Sequence, residues 1–204
     1  VKVRFVTDGE HGMEAPDTTV DQLERAGIHV TSDEGRGGFM HNKFIVIDSV
    51  YVWTGSTNIT HNGIYNNNNN VLLIRSSKLA ENYTTEFEEL FDGEFGVRSP
   101  DTVPNSIVTV DGTRFETIFE AEGDVPSRIV ELLEDAEHVR FMTFSFTRDD
   151  MISVLEDRAR SGQMDLAGIV EASQRRFLSD LVCPGLDVRQ DGNPNILHHK
   201  VFII

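Results

Sequence analysis

Two stretches far apart in this chain follow one plan. Ala26-Gly27-Ile28-His29-Val30 parallels Pro184-Gly185-Leu186-Asp187-Val188, and Met40-His41-Asn42-Lys43-Phe44 parallels Leu197-His198-His199-Lys200-Val201. The glycine precedes the histidine by 14 residues in the first stretch and by 13 in the second. The strand-like residues 1–7 pair in the same way with 165–170. A repeat on this scale requires that whatever the first stretch folds into, the second folds into as well, so the chain holds parts of two similar units.

The first copy is the more complete. His41 and Lys43 stand one residue apart, and on a strand that spacing turns both to one side. The run Phe44–Ile47 is short, apolar and β-branched, and Asp48 closes it, so it reads as a buried strand. A second strand over 50–53 ends in Gly55-Ser56-Thr57-Asn58. An imidazole near neutral pH attacks phosphorus or moves a proton, and an ammonium holds phosphate oxygens, so the pair suits phosphoryl chemistry. A lone H-x-K is no more than two polar residues on a solvated sheet edge. Six fixed positions are a stronger signal: His41, Lys43, Asp48, Gly55, Ser56 and Asn58 spell H-x-K-x4-D-x6-G-S-x-N. That pattern resembles the signature of the phospholipase D superfamily.

Charge limits the partners. Eighteen Lys and Arg face thirty-four Asp and Glu, a net charge of −16, which repels polyanions at long range. A nucleic acid or anionic lipid must then be drawn in by a local basic site. Cys183 is the only cysteine, which excludes an internal disulfide. No stretch approaches the roughly twenty apolar residues of a membrane span. His11, His29, His61, His138 and His199 show no metal-ligand spacing and read as surface or loop histidines.

Along the chain, 17–26 carries a helical pattern with Asp17 or Thr18 as N-cap and Gly27 as its stop. A short strand, 28–31, and a glycine-rich loop lead to the first motif. Residues 60–70 are polar and hold five consecutive asparagines from Asn66, a low-complexity run of the kind that is usually disordered. A strand follows at 71–74, then a helix over 78–91 with Leu79, Tyr83, Phe87, Leu90 and Phe91 on its apolar face. Residues 95–106, with Gly96, Pro100 and Pro104, read as a linker. A hairpin around Asp111-Gly112 comes next, then helices at 125–136, 151–161 and 173–181 alternating with strands at 139–147 and 165–171. The alternation predicts an α/β fold, a mixed and mostly parallel sheet flanked by helices.

The resemblance implies more. It describes two pseudo-twofold-related lobes, both truncated here: 1–94 as the back of the first, 95–106 as linker, and 107–204 as the front of the second, cut just before the Asp of its motif. The chain is accordingly expected to be a fragment, with its compartment undetermined. The implied reaction is a metal-free, cofactor-free, two-step displacement. His41 would be the nucleophile that forms a phosphohistidine, and His198 would protonate the leaving oxygen and then activate water. Lys43, Lys200 and Asn58 would hold the phosphate oxygens, and Ser56 would support the surroundings of His41. Asp48 would either orient a histidine or cap its turn. Many family members carry a Glu eleven residues beyond the motif's Asn. Here Asn69 occupies that position, and it is expected to accept from the distal N–H of His41 without bringing a charge. Phe144-Ser145-Phe146-Thr147 is similar to an early strand of each family lobe and reads as core.

Three functions follow from the resemblance. A nuclease is expected first, because the lobes are small and no lipid-anchoring stretch is present, so nucleic acid is the expected phosphodiester partner over phospholipid. A phospholipase D or cardiolipin-synthase-type phosphatidyltransferase is the alternative. A non-catalytic interaction module is the third, and the intact His41, Lys43, His198 and Lys200 argue against it. A homodimer is left open.

Overall fold

The computed structural model describes residues 1–204 except 15–17, 35–37, 101, 121–122, 178–180 and 183, so the proposed cap Asp17 and the lone Cys183 lie outside the described residues. By its internal contacts the chain divides into one unit of residues 1–53 and 73–123 and a second of 54–72 and 124–204. The breaks fall after Trp53, Leu72 and Gly123.

In the first unit, β1 (Arg4–Thr7) and β2 (His29–Ser32) pair in parallel with Arg4 opposite His29, and α1 (Val20–Arg25) lies between them in the chain. A three-stranded sheet follows in chain order, β3 (Phe44–Ile47), β4 (Tyr51–Gly55) and β5 (Val71–Arg75); α2 (His61–Tyr65), between β4 and β5 in the chain, is grouped with the second unit. The β3–β4 connection is tight. Asp48 and Ser49 have φ of 53° and 56°, and the Val50 N–H returns to the Ile47 carbonyl at 3.1 Å. Two successive left-handed residues supply the twist that a two-residue hairpin loop needs. Helix α3 (Ser77–Phe91) starts where the Ser76 hydroxyl accepts from the Leu79 N–H, and its Leu79 and Ala80 form a small core with Val52 and Val108.

The helical pattern of α3 mis-assigns part of its surface. Phe87 and Phe91 are half-buried and stack on each other beneath the Arg4 guanidinium, which lies 4.9 and 5.0 Å from the two ring centres. Asn82 and Glu89, which are not among the expected apolar-face residues, are buried. Asn82 donates to the Asn105 carbonyl and accepts from its N–H, both at 2.8 Å, while Glu89 accepts from the hydroxyls of Ser99 and Thr102. Ser99, Thr102 and Asn105, in the stretch expected to link two units, are thus held against α3. That stretch leads into the expected hairpin, β6 (Ile107–Val110) and β7 (Thr113–Glu116), which turns at Asp111 and Gly112 with φ of 47° and 83°.

The second unit is built on a four-stranded sheet in the order β10-β9-β8-β11. Strands β8 (His138–Thr143), β9 (Asp165–Val170) and β10 (Asp187–Gln190) are parallel, and β11 (Lys200–Ile203) runs antiparallel to β8. Helices α4 (Val125–Glu134) and α5 (Asp149–Arg160) supply Leu133 and Leu155 to a core shared with Val139, Phe141, Phe146, Val170 and Leu181. Each such side chain, fully buried, contributes about 1.5–3 kcal/mol. Gly168 on β9 is obligatory for packing, since a Cβ there would lie 2.2 Å from the Phe141 ring. Of the helix expected over 173–181, the described residues show a 3₁₀ stretch, Ala172–Phe177, while 178–180 lie outside the described residues. The mixed α/β character is as the sequence predicts.

Candidate active site

The second H-x-K is the better-defined of the two. The chain approaches β11 through an extended segment in which Leu197 forms a parallel bridge with Asn68. The Asn68 N–H donates to the Ile196 carbonyl at 2.9 Å, and the His198 N–H donates to the Asn68 carbonyl at 2.8 Å. The His198 ring is only 7% exposed. Its Nδ1 lies 2.8 Å from the Ser56 carbonyl and 3.0 Å from Asn69 Oδ1. The Asn69 amide nitrogen is committed to the Gly63 carbonyl at 2.8 Å, so both groups facing Nδ1 are acceptors. The network therefore assigns the proton to Nδ1. In the neutral ring Nε2 then carries the lone pair, and the Lys200 ammonium stands 3.3 Å from it. Phe144 packs against both, with ring centres 5.2 Å apart for His198 and 5.5 Å from Lys200 Nζ to the Phe144 centre.

Two expectations change here. Ser56 and Asn69 were expected around His41, but the structure places both against His198, because residues 54–72 belong to the unit that carries β11. Phe144 was expected in the core. Phe146 is there, while Phe144 N–H is bonded to the His199 carbonyl at 2.9 Å and its ring lies along His198.

The asparagine run is ordered. Asn66 and Asn67 donate their N–H groups to the Asn62 carbonyl, closing α2. Asn68 bridges to Leu197 and accepts from Asn193 Nδ2 at 2.8 Å. Asn69 accepts from the Ser56 hydroxyl at 2.9 Å as well as facing His198, and Asn70 Oδ1 faces His199 Nδ1 at 3.1 Å. An amide offers a donor and an acceptor without charge, so such a run forms a network where carboxylates would repel. Gly55 is part of the arrangement: with φ of 152°, it lets the Asn70 carbonyl come where a Cβ would be 2.2 Å away, and the Ser56 N–H bonds that carbonyl at 3.0 Å. Asn58, half-buried, places its carbonyl against Gly63 in the same way.

In the other unit, His41 is exposed and Lys43 half-buried on the extended stretch just before β3. Lys43 Nζ donates to the His41 carbonyl at 2.8 Å, the counterpart of the bond from Lys200 Nζ to the His198 carbonyl at 3.2 Å. Asn42 between them anchors the stretch to the buried Glu86 carboxylate at 2.6 Å. Asp48 sits at the hairpin tip in left-handed conformation, which of the two roles open to it fits the turn.

Burial lowers the pKa of Lys200, although the residue keeps an exposed surface. His199 is lowered by burial and by the neighbouring Lys200 charge. The site thus pairs an imidazole of fixed tautomer with an ammonium that gives up its proton more readily than an ordinary lysine. Residues that sequence reasoning missed are Asn68, Asn70, Phe144 and Glu171, whose Oε2 accepts from the Leu197 N–H at 2.7 Å. None carries a local sequence signal, since each acts through a partner distant in the chain. Among the described residues, no group of three or more His, Cys, Asp or Glu is placed to hold a metal ion.

Comparison with known proteins matches residues 1–91 to the family described as "Cardiolipin synthase, PLD-like domain". The chain is 37% identical over 92 residues to a mitochondrial cardiolipin hydrolase of Xenopus laevis, covering 45% of this chain and 43% of the relative. The corresponding protein of Homo sapiens is 36% identical over 92 residues, 45% of this chain and 36% of that one. A phospholipase D of Rickettsia conorii is 39% identical over 83 residues, 41% and 40% of the two chains. The chain thus spans less than half the length of these relatives. A crystal structure of polyphosphate kinase from Porphyromonas gingivalis superposes with a TM-score of 0.58 over 98% of this chain and 34% of its own, at 11% identity, a likeness of fold. No helix among the described residues is long and apolar enough to cross a membrane.

Proposed function

Because the chain belongs to the phospholipase D superfamily through its match over residues 1–91, we propose that it hydrolyses the phosphodiester of a phospholipid without a metal, through a phosphohistidine. The nucleic-acid preference expected from the sequence gives way, because the relatives are named for cardiolipin and for phospholipid. The single observation that supports the chemistry best is the buried His198 ring, oriented through Nδ1 and faced at Nε2 by Lys200.

In this reading a ring nitrogen of His41 attacks phosphorus and the bond to the leaving oxygen breaks. His198 Nε2 delivers the proton that oxygen needs. In the free site Lys200 occupies Nε2. A bound phosphate diester draws the ammonium to its own oxygens, and its negative charge favours the imidazolium that must donate. Lys43 and Asn58 share the non-bridging oxygens with Lys200. His198, then neutral, takes a proton from water, which attacks phosphorus and releases His41.

The test is the intact protein in excess EDTA against vesicles of cardiolipin, vesicles of phosphatidylcholine, single-stranded DNA and RNA in parallel. Phosphatidic acid is expected, released with phosphatidylglycerol from cardiolipin or with choline from phosphatidylcholine, and label is expected to be trapped on His41. Cleavage of nucleic acid alone would replace the phospholipid by the nuclease reading, and activity lost to EDTA and restored by a divalent ion would remove the metal-free mechanism.

A further inference from the structure

The two copies share a contact that their sequences do not display. Asp8 follows β1 and Glu171 follows β9, the two strands that the repeat pairs. Asp8 Oδ2 accepts from the Met40 N–H at 3.2 Å, and Glu171 Oε2 accepts from the Leu197 N–H at 2.7 Å. Met40 and Leu197 are each the residue immediately before the motif histidine. The remaining carboxylate oxygens are used alike: Asp8 Oδ1 accepts from the His11 N–H at 2.6 Å and Glu171 Oε1 from the Ser173 N–H at 3.3 Å. We propose that Asp8 and Glu171 are matched positioning residues, each tying the backbone that leaves one strand to the N–H of the residue immediately before the reactive histidine.

The physical case rests on where the bond falls. The bond falls on the peptide that enters the residue before the histidine, so the carboxylate fixes the backbone one Cα ahead of the imidazole and restrains it without touching it. Glu171 is 7% exposed, and bonds from N–H groups to an ionised carboxylate are shorter and roughly twice as strong as neutral ones. At Asp8, burial works against the charge, and the N–H groups of His11 and Met40 outweigh it, holding the carboxyl below its usual range. One copy uses Asp and the other Glu for the same bond, so the geometry repeats while the residue letter does not. A displacement of about 1 Å at a reacting group costs on the order of a hundredfold in rate, which is the scale such a tether controls.

The inference rests on His41 and His198 being the reacting imidazoles, and its test separates the two ideas. In the intact protein, Asp8→Ala, Asp8→Asn, Glu171→Ala and Glu171→Gln are compared for kcat, KM and hydrogen exchange at the Met40 and Leu197 amides. Each alanine variant should lose about ten- to a hundredfold in kcat with KM little changed and with faster exchange at its own amide. Asn and Gln keep one accepting oxygen for the two N–H groups and lose the charge, so they should restore part of the rate and the protection. Alanine variants that keep wild-type kcat and exchange would overturn the proposal, as would Asn and Gln variants as slow as alanine. If an alanine variant does not fold, Glu171→Asp, one methylene shorter but still charged, makes the same comparison and should be slowed. Exchange that responds in a protein with no phosphodiesterase activity would support the tether and remove the proposed function.

Discussion

His198 is oriented by two uncharged oxygens, and that choice has consequences at the scale of single residues. Asn69→Ala removes one acceptor and should lower kcat about ten- to a hundredfold. Asn69→Asp puts a carboxylate against the ring instead. An opposite charge at this distance favours the imidazolium and raises its pKa by about one unit or more. The donor then stays protonated to higher pH, so the limb of the kcat profile that falls as the ring loses its proton should move up by a comparable amount. A profile unmoved by either substitution would remove Asn69 from the site. Lys200 adds a second, more alkaline inflection, which burial brings below the ordinary lysine range. Lys200→Arg, whose guanidinium stays charged throughout, should abolish that inflection whatever it does to the maximum rate. Part of the His198 surroundings was legible: His198 and Lys200 stand in the second H-x-K, and Asn69 was singled out by its spacing. The ring it serves was not legible, because spacing along the chain carries no information on which of two similar histidines a side chain meets.

Among the elements, the β3–β4 hairpin is where pattern and geometry meet most directly. Asp48 belongs to the family-like pattern but sits with Ser49 in a turn of two left-handed residues. Ser49→Gly relieves a non-glycine residue at positive φ and should stabilise the fold by about 0.5–1 kcal/mol, read as a higher denaturation midpoint. Asp48→Asn suits such a turn equally well and should leave kcat within about twofold, whereas a much larger loss would return Asp48 to the chemistry. In the second unit, Gly168→Ala drives a methyl into the Phe141 ring and should cost about 1–3 kcal/mol as overpacking, measurable by chemical denaturation. Element identity was readable wherever a period ran uninterrupted, as in α4, α5 and the β6–β7 hairpin. It failed where polar side chains do the joining. Asn82 and Glu89 on α3 look solvent-facing until Asn105, Ser99 and Thr102 are known to lie on them, and five asparagines look disordered until each has a partner.

For the molecule as a whole, the charge of −16 opposes approach to an anionic surface, and salt within the Debye length screens that opposition. Raising ionic strength from about 10 to 150 mM should therefore increase the rate on anionic vesicles, and leave the rate on zwitterionic vesicles nearly unchanged; a fall on anionic vesicles would show that a local basic patch dominates the encounter. The chain divides into two units whose bounds the sequence did not mark, because residues 54–72 are grouped with a partner the chain reaches only at its far end. That grouping has a meaning in time. The partners Ser56 and Asn69 are separated from His198 by 142 and 129 residues. At synthesis rates of about 5–20 residues per second, the earlier segment waits roughly 6–28 seconds before its partner exists. An apolar segment left unpaired for that long would find other chains. A run of amides is hydrated while it waits, and exchanges water for His198 and His199 when they arrive.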